Sequence, residues 1–595
     1  MMSPIRVWAP DAQVVECVVI GGDRHAMSAE EGGWWSWTPA CDGPVDYLFA
    51  VDARDPAPDP RSPWLPHGVH GPTRTFDTGT FAWTDSDWRG ARGGEGTLGA
   101  VFYELHIGTF TRAGTFAGAT AGLDHLVELG VDVVKIMPVA AFGGPHGWGY
   151  DGVQPYAVHQ PYGGPVAFQE LVDACHARGL AVCLDGVYNH VGPVGTYLQA
   201  FGPYFTDRHS TPWGPALNFD GVGSDEVRRW VIDNALRWFR DFHVDALRLD
   251  AVHAIHDDSP RHLLAELSDE TAALSARLGR PLELIAESEL NDPVMVTPTA
   301  AGGRGMTAQW DDDVHHSLHV ALTRERQGYY ADFAGGTEAW PERTPLRILA
   351  KTLTDAFLHD GRMSTFRGKA WGVPIDQETM SGHRFVAYLQ NHDQIGNRAQ
   401  GDRINDTISP GQQAIGAALY LLSPYTPMVF MGEEWRASTP FQFFTSFDDQ
   451  WLADAVRKGR REEFAAHGWT AADIPDPQDP ATRSASVLDW TETKTLGHTE
   501  MLEFYRELIK TRRGEPDARS GNLLATAVDV DEEAGWLIMH RGHVHVVCNF
   551  RPRSQVVPVT GLMVDRVLVS WGRAPVVDES GVRLDGHDVA VIRTR

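Results

Sequence analysis

The sequence predicts a (β/α)8 TIM barrel of the α/β class, flanked by an N-terminal β-sandwich and a small C-terminal β-sandwich domain. Three observations carry this. From Ala100 onward, apolar strand-like runs alternate with amphipathic helical stretches, and eight such strands fit into about four hundred residues. Before residue 95 and after residue 515 the pattern changes to short alternating strands broken by Gly, Pro and Asp. Polar side chains also gather just past the apolar part of several barrel strands, the end at which barrels build their active sites. The expected divisions are 1–95, a sandwich of carbohydrate-binding type, 96–515, the catalytic barrel with inserted loops, and 516–595, the C-terminal β-domain.

In the first division, Ile5 to Trp8, Val14 to Ile20, Trp34 to Trp37 and Val45 to Val51 alternate as strands. Arg54 to Pro72 is a proline-rich loop, and the five glycines of Arg89 to Gly99 mark a boundary. In the barrel, strands are expected at Val101–Phe110, Val131–Val139, Leu180–His190, from Val244, at Leu282–Glu289, Met306–Val314, Arg384–Asp393 and Pro427–Glu434. Thr115 to Gly130 has helical spacing and a glycine stop, and so does Phe168 to Gly179. Ser224 to Phe242 is a long amphipathic helix with Ser224 as its expected N-cap and Asp225 and Glu226 in its first turn. Inserts are expected at 143–165, 190–220 and 328–383. Met501 to Arg513 is a last helix, and Gly535–Asn549 and Val564–Thr594 return to short strands.

Composition narrows the function. The 595 residues are 43% hydrophobic, enough for a large core with accessory domains. The net charge of −28 argues against nucleic acid or anionic membrane surfaces as partners and leaves neutral substrates open. Twenty tryptophans and fourteen tyrosines suit sugar rings as well as a core. The five cysteines, 17, 41, 175, 183 and 548, have neither zinc nor disulfide spacing. No signal-peptide pattern and no membrane-length apolar run occurs, so a reducing cytoplasm is expected.

The chemistry centres on V-D-A-L-R-L-D-A-V-H, residues 244–253. Arg248 and Asp250 interrupt an apolar strand two residues apart, and so share a face. The pair reads either as a structural ion pair or as a carboxylate kept ionised for nucleophilic attack. Other strand ends supply Asp185, Asn189 and His190 in D-G-V-Y-N-H, Glu287 in L-I-A-E-S-E, and Asn391, His392 and Asp393 in Q-N-H-D. Buried carboxylates repel one another, so packing does not explain their convergence. Two close carboxylates in different protonation states are what glycoside cleavage uses. Arg248 favours an ionised Asp250, and the apolar approach to Glu287 favours a protonated carboxyl. Asp393 would grip sugar hydroxyls. His253 reads as a sugar contact or a supporting residue, Asn189 as a calcium ligand or a loop brace, and Glu289 as a surface or supporting acid.

These four ordered motifs resemble the sequence signatures of the α-amylase family of glycoside hydrolases, and the resemblance spans the whole barrel. It implies a retaining reaction with Asp250 as nucleophile, Glu287 as acid/base and Asp393 as transition-state stabiliser. Arg248, His190 and His392 would surround the sugar, and Tyr150, Asn391 and His253 are further expected substrate contacts. G-W-G-Y-D-G-V (147–153), Y-A-V-H-Q-P-Y-G-G-P (156–165), T-P-W-G-P-A-L-N-F-D (211–220), Q-N-H-D-Q-I-G-N-R-A (390–399) and F-M-G-E-E-W-R-A-S-T-P-F (430–441) look like the family's trehalose-releasing members. Such enzymes cut the α-1,4 bond next to the terminal trehalose of maltooligosyltrehalose and follow a synthase that forms it. The N-terminal sandwich with Y-E-L-H-I-G-T-F (103–110) also resembles glycogen-branching enzymes. A branching or debranching glucanase is therefore the alternative. A non-enzymatic binding homologue is disfavoured by the intact Arg248, Asp250, Glu287 and Asp393. No cofactor and no structural metal are expected. Trehalose-reading groups are expected on the loops at Trp213 and at Glu434, Trp435 and Phe441, with Trp213 either stacking on sugar or pinning its own loop.

Overall fold

The computed structural model describes the whole chain except residues 1–3, 41–42, 212, 338, 342, 466–469 and 471–472. Eight parallel strands close into a barrel: β1 Phe102–Leu105, β2 Val133–Ile136, β3 Ala181–Gly186, β4 Ala246–Leu249, β5 Glu283–Ala286, β6 Ala308–Trp310, β7 Phe385–Ala387 and β8 Thr426–Phe430. Each pairs with the next, and β8 closes on β1 through Phe430 opposite Glu104. Every residue of β1 to β4 is buried, which is why these strands read as near-continuous apolar runs.

Seven of the eight strands fall within the expected stretches and β8 starts one residue before its own, at Thr426, but all of them stop earlier than expected. At the barrel mouth the chain turns into short helices. Ile107–Phe110 is helical, and Asp311 accepts a hydrogen bond from the Val314 amide at 3.3 Å to start the helix Asp312–Thr323. The stretch expected as one strand to Asp393 ends at Ala387, and His392–Gly396 is a helix. The stretch 115–130 divides into Phe116–Thr120 and Leu123–Leu129, closed by Gly130 in the left-handed conformation. Ser224 is not the N-cap of Ser224–Asp241. Gly223, at φ 78°, holds that position without a side-chain cap.

The inserts carry antiparallel hairpins. Ala140–Phe142 pairs with Gly152–Val158, Phe205–Thr211 with Gly214–Leu217, and Arg362–Ser364 with Lys369–Trp371. Toward the N-terminus, a three-stranded and a four-stranded sheet lie within residues 5–74. This region meets the helix Ser224–Asp241, where the Trp230 indole donates to the Pro60 carbonyl at 2.9 Å and Arg61 pairs with Asp233 at 2.9 Å. Toward the C-terminus, a five-stranded and a three-stranded sheet lie within residues 526–594, anchored by Arg541 donating to the Leu422 carbonyl at 3.0 Å. Cys17, Cys175, Cys183 and Cys548 are buried and unpaired, and Cys41 lies outside the described residues. Among the described residues no helix is long and apolar enough to cross a membrane.

Candidate active site

Neighbouring strands bring charged residues into register inside the barrel: Glu104 stands opposite Lys135, and Asp185 opposite Arg248. The Lys135 ammonium, 1% exposed, bridges Glu104 at 2.7 Å and Asp185 at 2.6 Å. Arg248, wholly buried, lies with its guanidinium 4.4 Å from the Trp310 ring centre. Its Nη1 donates to Asp185 and to Asp250, both at 2.8 Å. Each buried charge is therefore neutralised by a neighbour, the condition under which a barrel core tolerates it. This floor holds the groups above it in place.

Asp250 follows β4 and is 8% exposed. Its Oδ2 accepts from the Asn189 amide at 2.7 Å, while Oδ1 takes Arg248. Burial pushes this carboxyl up, but the Arg248 charge and the Asn189 hydrogen bond outweigh it and hold Asp250 below the usual carboxylate range. Glu287 follows β5. Its carboxyl, one-fifth exposed, lies 2.6 Å from Arg248 Nη2, yet that nitrogen makes no aligned hydrogen bond. Burial, together with the nearby charges of Asp250 and Asp393, pushes Glu287 well above the usual range against the pull of Arg248. One guanidinium thus serves two acids unequally. The residue between them is strained: Ala251 sits at φ 39°, and its amide donates to Glu287 Oε2 at 2.7 Å.

Asp393 lies in the first turn of His392–Gly396. Burial pushes its carboxyl up, with the Asp312 and Asp250 charges adding to the effect. Asn391 was expected to touch substrate. Instead its Oδ1 caps this helix, accepting from the Asp393 amide at 2.8 Å and the Gln394 amide at 3.2 Å, and the residue is 1% exposed. His392 is committed on both ring nitrogens, Nδ1 to Glu104 at 2.7 Å and Nε2 to the Tyr150 hydroxyl at 2.8 Å. That hydroxyl also donates to Asp185 at 2.9 Å, and the Tyr150 ring stacks on His392. Gly149 makes this placement possible. It sits at φ 99°, and a Cβ there would lie 2.4 Å from the Pro138 carbonyl. Gly396 admits Trp148 in the same way, since a Cβ would meet its ring at 1.9 Å. The G-W-G-Y and Q-I-G stretches are therefore two halves of one packing contact.

His190 pairs through Nδ1 with Asn189 Oδ1, and its Nε2 meets the Tyr150 carbonyl at 3.0 Å. With its oxygen engaged by His190 and its amide nitrogen by Asp250, Asn189 is a brace rather than a calcium ligand. Trp213 stacks on His190 at 4.6 Å between ring centres and is 48% exposed, leaving one side open. His253 lies just past Asp250. Its Nδ1 has no partner among the described residues, and its Nε2 is 3.9 Å from Glu289.

The expectation that Glu434, Trp435 and Phe441 read the substrate is corrected: all three are fully buried. Glu434 turns inward to accept from Tyr103 at 3.0 Å and to pair with His125 at 2.7 Å. The mouth is furnished instead by the 361–372 hairpin, which sequence reasoning assigned only to an insert. Arg367 pairs with Glu289 at 2.8 Å and packs on Trp371, whose indole donates to the Glu289 carbonyl at 2.8 Å. Phe366 and Tyr329 stand exposed beside each other. The aromatic spacing T-F-R-G-K-A-W was the available signal. Glu104 and Lys135 were also overlooked, although each is a lone charge in an apolar strand.

Among the described residues, His209, Asp220 and Asp258 bring possible metal-ligand atoms within 4.8 Å of one another. Arg208 already occupies the cationic position there, 3.0 Å from Asp220 and 3.6 Å from Asp258. The donor set therefore fits an ion-pair cluster better than a cation site.

A closed barrel whose C-terminal rim sets a low-pKa carboxylate and a high-pKa carboxyl on one arginine defines a glycoside hydrolase of the α-amylase type. Residues 79–210 match the alpha-amylase catalytic-domain family. The chain is 49% identical over 592 residues to a malto-oligosyltrehalose trehalohydrolase of Arthrobacter ramosus, covering 99% of each chain. It is 47% identical over 597 residues to the protein of that name from Mycobacterium tuberculosis (strain CDC 1551 / Oshkosh), covering 100% of this chain and 99% of the relative. A 1.4 Å crystal structure from Salmonella typhimurium, provisionally assigned as an alpha amylase, superimposes with a TM-score of 0.88 at 35% identity, covering 100% of this chain and 97% of the other. The chain belongs to the malto-oligosyltrehalose trehalohydrolase family.

Proposed function

We propose that this enzyme hydrolyses the α-1,4-glucosidic bond next to the terminal trehalose of maltooligosyltrehalose, releasing trehalose and a maltooligosaccharide by a retaining mechanism. The observation that carries the chemistry is the unequal grip of Arg248 on Asp250 and Glu287. Ionised Asp250 attacks the anomeric carbon. Protonated Glu287 gives its proton to the leaving glycosidic oxygen, so that Asp250 holds the maltooligosaccharide as an ester while trehalose departs. Glu287, now ionised, takes a proton from water, which attacks the same carbon and frees Asp250. Asp393 accepts from sugar hydroxyls beside the bond. Full-length similarity to relatives named trehalohydrolases supports the substrate. In this reading the enzyme acts after a synthase that builds maltooligosyltrehalose, in a reducing cytoplasm consistent with its unpaired buried cysteines. Incubation with maltotriosyltrehalose tests the proposal. Free trehalose and maltotriose are expected, whereas new or cleaved α-1,6 linkages would move the enzyme to the branching or debranching glucanases.

Trp213 is the one expected trehalose reader that stays open to the cleft. Its exposed side offers a stacking face to a sugar beyond His190. Trp213→Ala is expected to lower kcat/KM on maltooligosyltrehalose about 10- to 100-fold, and plain maltooligosaccharide of equal length far less. Parallel rate measurements on the two substrates check this. An equal loss on both would make the loop scaffolding.

A further inference from the structure

Glu104 is the charged residue of β1, and its side chain is wholly buried. Its Oε1 accepts from Lys135 Nζ and from His392 Nδ1, both at 2.7 Å. Its Oε2 accepts from the His392 backbone N–H at 3.0 Å. One carboxylate therefore holds His392 by ring and by main chain, and the next residue is Asp393. Burial pushes Glu104 up, but the Lys135 and His392 charges outweigh it and hold its carboxyl below the usual range.

Counting protons fixes the state of the His392 ring. Asp185 takes Arg248 on Oδ1 at 2.8 Å and Lys135 on Oδ2 at 2.6 Å, so it acts only as an acceptor. The Tyr150 oxygen lies 2.9 Å from that Oδ2, and two oxygens approach so closely only with a proton between them. Tyr150 has one hydroxyl proton, and it is spent there. The 2.8 Å contact between the Tyr150 oxygen and His392 Nε2 must then be bridged by a proton from the ring. Nδ1 needs its own proton, because Glu104 can only accept. The ring carries both and is a cation. Charge agrees: Lys135, Arg248 and His392 stand against Glu104, Asp185 and Asp250, with Glu287 protonated. His106, past the end of β1, adds no charge, since burial pushes it down to about 3.

We propose that Glu104 is a positioning residue for glycoside cleavage: by pinning His392 at two points and keeping both its ring nitrogens protonated, it plants a fixed cation next to Asp393. The proposal rests on the retaining reading above. Asp393 takes sugar hydroxyls as a pure acceptor only while ionised. Burial drives it toward the neutral form, the Asp312 and Asp250 charges add to that, and the His392 charge is the leading influence the other way. A neutral or turned ring at His392 would loosen that hold as the sugar distorts toward the transition state.

Glu104→Gln is expected to lower kcat on maltotriosyltrehalose about 100-fold, with KM changed by less than about threefold. Its alkaline limb should move to lower pH, because a ring without a carboxylate on Nδ1 gives up its proton sooner as pH rises. Glu104→Gln/Lys135→Met separates this role from charge balance. It removes the ammonium that the single change leaves with Asp185 alone. A merely structural Glu104 predicts recovered rates in the double variant, and a positioning Glu104 predicts none. Thermal unfolding checks both proteins, and if the single variant does not fold the double variant carries the test. Independently, imidazole 15N spectra of the wild type, with His392 identified by its absence in His392→Gln, should show both nitrogens protonated at neutral pH. A neutral ring, near-normal kcat, recovery in the double variant or an unmoved alkaline limb each overturns the proposal. Failure of the trehalose-releasing reading is separate: it shows in the products of the wild type, and the rates are then taken on whichever glucan the wild type cleaves.

Discussion

Asp250→Ala is expected to lose about four orders of magnitude or more in kcat on maltooligosyltrehalose while remaining folded. The loss is large because the covalent intermediate forms on Asp250, and removing a nucleophile disables the whole constellation. The fold should survive because Arg248 keeps Asp185 at 2.8 Å and Glu287 at 2.6 Å, so the truncation strands no buried charge. Asn189 loses the Oδ2 acceptor but keeps the backbone carbonyl of residue 250 at 2.7 Å. Initial rates and thermal unfolding on the same preparation check both halves. Near-normal hydrolysis would sink the nucleophile assignment. Lost activity with a collapsed unfolding transition would show that the residue is structural.

Glu287→Gln is expected to be similarly inactive on the natural substrate, since glutamine cannot give up a proton to the departing sugar oxygen. It should form the glycosyl-enzyme far more readily from an activated glycosyl fluoride, whose leaving group needs little protonation. Equal loss on both substrates would remove the acid/base role. The pH profile follows from the opposite displacements of the two acids. Glu287 works protonated and is pushed up, so activity is present below its pKa and is lost as pH rises through it. Asp250 works ionised and is held down, so activity persists into acid and is lost only as pH falls through a value below the ordinary carboxylate range. Wild type should therefore show a broad optimum, and the glutamine variant assayed on the fluoride should lose its alkaline limb. An alkaline limb unchanged in the variant would assign it to another group.

Much of the barrel was legible because burial on both faces leaves a one-dimensional trace. V-V-K-I and A-L-R-L read as strands with no knowledge of their neighbours. Strand ends were not legible. Asp311, directly after β6, and Asn391, four residues past the end of β7, are polar side chains acting as helix caps, and a cap declares itself only through the amide it accepts from. For the same reason Asn391 passed for a substrate contact.

The sequence by itself determined the barrel, its order of strands and the identity of the acids at its rim. These depend on periodicity and on residue type at strand ends, which are local properties. Only the tertiary structure decided which polar residues face the cleft and which are spent on the protein. Glu434 and Glu287 both follow an apolar strand, yet one turns to Tyr103 and His125 in the core while the other stands beside Arg248 in the open cleft. Asn189 is a brace because His190 and Asp250 claim both ends of its amide. Lys135 is tolerated at the barrel centre because Glu104 and Asp185 reach it from the strands on either side. A buried charge or hydrogen-bonding group takes its meaning from its partner, and where that partner lies tens to hundreds of residues away, as Asp250 does from Asn189, Glu104 from Lys135 and Tyr103 from Glu434, no local pattern encodes it.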